Sequence, residues 1–395
     1  MVAWGDKRMK QKVYVNKNVY EATMERLEFV FSEFENIYVA FSGGKDSGVL
    51  WNLTLKYMAE HNITRRIGLF YKDFEAQYSL TNEYVEKVFN TAPDFVAKYW
   101  ICLPFKKSNN LSSYAPLWYT WDDEKQDLWV RPMPKHPYVY NLENNPFEFY
   151  KYKMSNREFR VQFLNWYKKQ NGGGKTIALL GICTDESLNR YRAITSKVKM
   201  YKNEAWTTYV SKDCYYGYPI YDWNVADIWI ANGRLGFEYN KIYDLMYKAG
   251  IPLSEQRVAT PFLSEGHDNL KLYKTLDPEM WEKLIKRVSG VNFGAIYGDT
   301  EGMAYHSIRL PEGHTWKSYA EFLVLTLPKS IEKRYKKALE LCQEEENYRL
   351  LCRSILRCDD ERFGNFGATK KIENNQQEKK AEKKKRYADI MKGLN

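Results

Sequence analysis

The chain of 395 residues holds only 5 histidines and 6 cysteines, and neither type gathers. The cysteines lie far apart at 102, 183, 214, 342, 352 and 358, so they build no dense disulfide framework and read as reduced thiols. Cys342, Cys352 and Cys358 also lack the paired C-x-x-C spacing of zinc sites. With His306 and His314 at hand a metal cluster is one reading of them, and free buried thiols are the simpler one. His61, His136 and His267 share no ligand spacing. No apolar run approaches a membrane span, and the opening residues lack the unbroken apolar stretch of a signal peptide, which points to a cytoplasmic protein with no membrane partner. Two phosphate-binding patterns are missing as well, G-x-x-x-x-G-K-[ST] and G-x-G-x-x-G. Gly172-Gly-Gly-Lys-Thr176 imitates the end of the first, but it precedes an apolar strand, whereas phosphate loops follow one. It reads as the loop closing the preceding helix.

What the chain does hold is the stretch V-A-F-S-G-G-K-D-S-G-V-L, from Val39 to Leu50. Asn36 to Phe41 is short, apolar and rich in β-branched and aromatic residues, which suits a buried parallel strand. After Ser47 the apolar residues Val49, Leu50, Leu53 and Tyr57 recur at helical spacing. The glycines therefore sit at a helix N-terminus, where unpaired amides and the helix dipole favour an anion. Gly43 and Gly44 let the backbone approach that anion, Ser42 and Ser47 offer hydroxyls, and Lys45 offers a mobile charge. A helix cap needs one such residue. Six in a row point to phosphate.

Strand and helix patterns then alternate over 36–41, 46–60, 66–71, 79–90 and 97–102, which predicts an α/β fold with a doubly wound, mostly parallel sheet. Ligands of such sheets bind beyond the carboxyl ends of the strands, where the Ser42 loop, Asp73 and the Cys183–Glu186 turn would converge. Residues 1–35 read as a basic arm and a helix from Val19 to Glu33. Between 105 and 149 the alternation stops in an aromatic insertion with Trp118, Trp121 and Trp129, either a lid or base-stacking platform, or a satellite core. A helix from Pro146 to Gln170 is expected next, then a strand from Thr176 to Ile182. Residues 263–363 read as a mainly helical C-terminal module, with a helix entered at Asp277-Pro278 and others over Ser318–Leu327 and Ile331–Arg349. Residues 364–395 are a basic, low-complexity tail. The net charge of +10 and a pI near 9.0 favour anionic partners, and the Lys379–Arg386 cluster is either a solvated end or a contact for nucleic acid.

Ser42-Gly-Gly-Lys-Asp-Ser47 after a strand resembles the PP-loop of the adenine-nucleotide α-hydrolase superfamily. Asp73 and Glu75 after Ile67–Tyr71, the element Gly181-Ile-Cys-Thr-Asp-Glu-Ser187 with Arg190, the segment from Pro219 to Trp229 and Asn240-Lys-Ile-Tyr243 follow in the order of its phosphoadenosine phosphosulfate (PAPS) reductase branch. Together they cover about residues 36–262. The stretches Asp73–Tyr78, Asp185–Arg192 and Tyr247–Phe262 further resemble a bacterial and phage subgroup that carries an extra C-terminal domain and often accompanies a ParB-like partner. Two departures stand out. Cys183 replaces the branch's arginine, so Arg190 or Arg192 would take over its anion contact, or Cys183 is itself a reactive thiol. The E-C-G-x-x-C-like tail of the reductases is missing, leaving Cys358 as the one late candidate for the nucleophile.

The resemblance implies that the loop holds ATP or a related adenine nucleotide, with Mg²⁺, and that ATP is cleaved between its α and β phosphates to adenylate an acceptor. Ser42, Gly43, Gly44 and Ser47 would bind phosphate oxygens and Lys45 would neutralise charge. Asp46 would orient the loop or hold Mg²⁺ through water, and Asp73 would act on ribose or metal. Glu186 and Arg190 would engage the substrate or the distal phosphates. Two alternatives stand beside this reading: a thiol-dependent PAPS reductase, and a nucleotide-sensing or DNA-associated regulator without turnover.

Overall fold

The computed structural model describes residues 16–109, 111–112, 115, 117–186, 194, 200–262, 270–291 and 308–356. Arg190, Cys358, the basic arm before residue 16 and the Lys379–Arg386 cluster lie outside them. So do the side chain of Glu186 and, with His306 and Cys358, part of the late histidine and cysteine group.

A seven-stranded sheet forms the centre. Its strands are β1 (Asn36–Phe41), β2 (Ile67–Lys72), β3 (Val96–Ile101), β6 (Val139–Tyr140), β7 (Thr176–Leu180), β8 (Thr207–Ser211) and β9 (Cys214–Gly217), in spatial order β6-β3-β2-β1-β7-β9-β8. All neighbours run parallel except the β8–β9 hairpin. Two short antiparallel strands, β4 (Lys106–Ser108) and β5 (Leu117–Tyr119), pair outside the sheet.

Alternation along the strands fills two cores, because successive side chains leave a strand on opposite faces. Ile37, Val39 and Phe41 of β1, with Leu69 and Tyr71 of β2, face α1 (Val19–Glu33), α2 (Lys45–Glu60) and α3 (Ser79–Thr91). Tyr38, Phe70 and Tyr99 face α4 (Asn156–Gln170), whose Phe159, Phe163 and Tyr167 complete that side. The helices thus cover both faces, and the fold is the doubly wound, mostly parallel α/β sheet expected.

The helix expected from Pro146 starts only at Asn156, because Ser155 caps it by accepting a hydrogen bond from the Glu158 amide at 3.1 Å. The C-terminal region is helical as expected. Its elements are α7 (Leu270–Leu276) and α8 (Pro278–Arg287), which follow α5 (Val225–Leu235) and α6 (Ile242–Lys248), and then α9 (Trp316–Leu325), α10 (Lys329–Leu341) and α11 (Glu345–Leu356). The single helix expected over 331–349 is two helices, since Cys342 turns to extended backbone at φ −74°, ψ 128°. The region after 263 packs in two ways. Helices α7 and α8 share a core with Tyr78, Trp118, Tyr243 and Phe262, whereas α9, α10 and α11 build a cluster of their own. Trp118 and Trp121 of the aromatic insertion are buried in the two cores beside the sheet, so these rings serve packing.

Candidate functional site

Strand order reverses at β1: β2, β3 and β6 lie to one side, β7 and β9 to the other. Such a switch point opens a crevice at the carboxyl ends of the two central strands. The bend Ser42-Gly43-Gly44 leaves β1 there. Gly43 takes φ +75°, and a Cβ on it would stand 2.9 Å from Thr81 Cγ2 and 3.0 Å from Val85 Cγ2, so both conformation and space demand glycine. From the other side, Gly181 after β7 meets the first turn of α2 so closely that a Cβ would lie 2.7 Å from the Ser47 amide nitrogen.

The hydroxyls of the bend brace it from within. The Ser47 hydroxyl donates to the Gly44 carbonyl at 3.1 Å and accepts from the Ser42 amide at 3.1 Å, and the two serine Oγ atoms are 2.9 Å apart. Gly44, at the N-cap of α2, has no side-chain cap. Its amide points at Ser42 Oγ, 3.4 Å away. The next amide, that of Lys45, donates to the Tyr243 hydroxyl at 3.1 Å. Lys45 itself is buried, its Nζ 3.1 Å from Asp46 Oδ2 and 6.0 Å from the centre of the Tyr243 ring. Asp46 Oδ1 lies 4.0 Å from the Cys183 thiol.

Asn240 and Tyr243 were visible in the sequence as a four-residue element, but nothing local assigned them work. The structure does. Asn240 Nδ2 donates to the Gly43 carbonyl and to Thr81 Oγ1, both at 2.9 Å, locking the bend from behind. Asp222 and Trp223, in the segment from Pro219 to Trp229, point elsewhere. Asp222 pairs with Arg26 of α1 through two bonds of 2.8 and 2.6 Å, and Trp223 Nε1 donates to Thr23 Oγ1 at 2.9 Å.

Asp73 departs from its expected role. It is wholly buried, Oδ2 accepts from Trp100 Nε1 at 2.8 Å and pairs with Arg131, and Oδ1 accepts from the Glu75 amide at 2.8 Å. A carboxylate enclosed in this way has no open face for ribose or a hydrated metal. Burial works against the Arg131 charge, but the Asp73 carboxylate outweighs it and the guanidinium pKa rises above its ordinary value. Next to it, Glu75 adopts φ +65° and its carboxylate receives Arg287 Nε at 2.7 Å and Nη2 at 3.0 Å, with the Trp121 amide at 2.7 Å. The acidic end of β2 is therefore the hub that holds the aromatic insertion and α8 to the sheet. Neither Arg131 nor Arg287 left a signal in the sequence.

Glu186 lies in a short turn at Thr184–Glu186, whose Thr184 amide and hydroxyl both donate to the Tyr221 carbonyl at 2.9 Å. The five described cysteines are buried and form no disulfide among the described residues. Among the described residues no group of three or more His, Cys, Asp or Glu side chains is placed to hold a metal, and no helix is long and apolar enough to cross a membrane.

Residues 250–347 match the family described as a domain of unknown function, DUF3440. Among solved structures, phosphoadenylyl-sulfate (PAPS) reductase from Candida auris, in a phosphate complex, is 13% identical, with 60% of this chain and 94% of that chain covered at a TM-score of 0.31. Candida glabrata FMN adenylyltransferase in complex with ATP is also 13% identical, with 57% of each chain covered at a TM-score of 0.33. Scores this low carry no argument; the fold rests on the strand order above. The uncharacterized protein YbdN of Escherichia coli (strain K12) is 33% identical over 336 residues. That alignment takes in 84% of this chain and 80% of the relative, and on that extent the chain belongs to the YbdN family.

Proposed function

We propose that the Ser42–Ser47 bend seats the phosphates of an adenine nucleotide, ATP or a close relative, and that the protein cleaves ATP between the α and β phosphates. The observation that carries this reading is the left-handed Gly43 bend at the switch point, opening an α-helix whose Gly44 and Lys45 amides point at hydroxyl oxygens. A phosphate oxygen carries full charge and bonds an amide more strongly than a neutral hydroxyl does. It displaces Ser42 Oγ and the Tyr243 hydroxyl.

In the reaction, an acceptor oxygen attacks the α phosphorus, the bond to the bridging α–β oxygen breaks, and pyrophosphate leaves with the electron pair while the acceptor loses its proton. With water as acceptor the products are AMP and pyrophosphate. Lys45 neutralises the growing charge, and the amides of Gly44 and Lys45 hold the oxygens in line. Asp46 orients Lys45 across their 3.1 Å contact. The bend supplies one carboxylate, Asp46, which suits a Mg²⁺ ion that takes its other ligands from phosphate oxygens and water. Such an ion adds charge neutralisation at the departing pyrophosphate. Glu186 and Arg190 remain the proposed contacts to the substrate or the distal phosphates.

The test is release of pyrophosphate and AMP from ATP and Mg²⁺, with and without a ParB-like partner. Lys45→Ala is expected to lower the rate at least about 100-fold, in the range of losing one charged transition-state contact. A variant as fast as the wild type defeats the proposal. The thiol-reductase alternative rests on Cys358; Cys183 is buried, its thiol 4.0 Å from Asp46 Oδ1. Sulfite release from PAPS, lost in Cys358→Ser, would revive it. DNA binding by the Lys379–Arg386 cluster remains the regulatory alternative, and removing that segment tests it.

A further inference from the structure

Helix α10 turns one face inward and the other to solvent. Tyr335 and Ala338 are buried in the cluster it shares with α9 and α11, and Ile331 and Leu339 pack against that cluster. The outward face carries lysines. Lys329, Lys333 and Lys337 are exposed and recur at every fourth position, with exposed Lys336 on the same side. At the rise of a helix the three stand in a row, about 6 Å apart along the axis. Two carboxylates share the helix: Glu332 pairs with Lys336 at 2.7 Å, and Glu340 lies in the last turn. Among the described residues no carboxylate forms an ion pair with Lys329, Lys333 or Lys337. Other surface lysines are answered, Lys17 by Glu25, Lys87 by Glu238 and Lys202 by Glu33.

Like charges four residues apart destabilise a helix, so this row works against α10. Lys329 adds to the cost at the first helical position, where the dipole opposes a cation and Pro328 offers no side-chain cap. A linear polyanion would relieve both. Three kinds of partner carry such charge. A helix that lies on a bilayer buries an apolar face among the acyl chains, but the apolar face of α10 is already packed against α9 and α11. A protein interface is depleted in lysine and is anchored by aromatic or aliphatic side chains, and the outward face between Lys329 and Lys337 has no such anchor. Nucleic acid asks only for mobile cations within reach of its phosphates.

We propose that the outward face of α10 binds the phosphate backbone of a nucleic acid, with Lys329, Lys333 and Lys337 as its contacts. This surface is separate from the Ser42–Ser47 bend and from the Lys379–Arg386 cluster. It holds whether or not the bend cleaves ATP.

The experiment follows binding of the full chain to a fluorescent DNA duplex of mixed sequence, by anisotropy over a range of salt, with melting temperatures alongside. The triple variant Lys329→Gln, Lys333→Gln, Lys337→Gln is expected to bind at least about tenfold more weakly at low salt, with the slope of log affinity against log salt shallower by about three. Its melting temperature is expected to stay or rise, because repulsion along the row has gone. Arginine at the same three positions is expected to keep the affinity. A chain whose Lys379–Arg386 cations are changed to glutamine is expected to keep part of the binding, and the triple variant added to it to remove that part. No DNA binding by the wild type at low salt, or an unchanged slope in the triple variant, overturns the proposal. So does loss of all binding on neutralising Lys379–Arg386 alone. A glutamine triple variant that melts several degrees lower, and whose arginine counterpart recovers stability without DNA binding, also overturns it by marking a structural role. Vesicles of phosphatidylcholine and phosphatidylserine in equal parts are the last arm: if they bind through the same lysines while DNA does not, the face belongs to a membrane surface and the proposal falls.

Discussion

In the proposed phosphate seat, the Tyr243 hydroxyl stands where a phosphate oxygen would bind. Its hydroxyl accepts the Lys45 amide hydrogen bond at 3.1 Å while its ring is packed edge-on against Trp229 at 5.5 Å, so the phenol is held at the bend by its own core. A neutral hydrogen bond of this kind contributes about 1 kcal/mol net. Removing the hydroxyl while keeping the ring frees the amide, and Tyr243→Phe is expected to tighten binding of inorganic pyrophosphate by up to about fivefold, read by calorimetry. Weaker binding would instead show that the hydroxyl donates to the ligand. The residues Ser42 to Ser47 were legible because glycine conformation and helix-terminal amides are local properties. Tyr243 was visible as part of a motif, but its role was not, since its contact with Lys45 crosses 198 positions of sequence.

At the scale of elements, the acidic end of β2 decides how the C-terminal helices attach. Glu75 and Arg287 form a bidentate pair with side-chain exposures of 0% and 2%, and Arg287 also donates to the Tyr119 carbonyl at 2.6 Å. Tyr78 stacks on Tyr273 at 3.7 Å, and the Ser79 amide donates to Asp277 Oδ2 at 2.7 Å, so α7 and α8 are held at several points. Removing one partner of a buried ion pair leaves the other charge uncompensated, which costs about 3–5 kcal/mol. Arg287→Met is expected to fall in that range in denaturant unfolding, and Glu75→Gln added to it to recover part of the loss. A loss below about 1 kcal/mol would show that the pair does not hold α8. The elements themselves were readable: β1 and α1 have the expected bounds, α2 and α3 differ from expectation by one residue at one end, and β2 and β3 are shifted by one residue at both ends. Where expectation failed, at the start of α4 and in the break between α10 and α11, the deciding features were an N-cap serine and a short extended link, both weak signals beside a long apolar period.

The whole molecule carries 32 tyrosines, many deep in the cores. Burial raises Tyr38, Tyr71 and Tyr273 well above the ordinary phenol value of 10.0, and raises Tyr78 and Tyr84 as well. Below pH 10 these phenols are neutral in folded and unfolded chains alike, so their contribution to stability is fully present. Above it the unfolded chain loses protons that the folded chain keeps, and stability falls as pH rises. Alkaline titration is expected to show the tyrosinate absorbance of this buried set appearing together with loss of near-ultraviolet circular dichroism. A smooth tyrosinate rise in a still-folded protein would contradict the burial described. On its own, the sequence determined the strand-bend-helix around Gly43 and the parallel alternation, because hydrophobic period and glycine placement act over a few residues. Only the tertiary structure decided that Asp73 and Glu75 are enclosed by Arg131 and Arg287, 58 and 212 positions away, and that Lys72 meets Asn156 across 84. Those partners are chosen by how the sheet and helices stack, and charge pairing across such separations leaves no periodic mark in the chain.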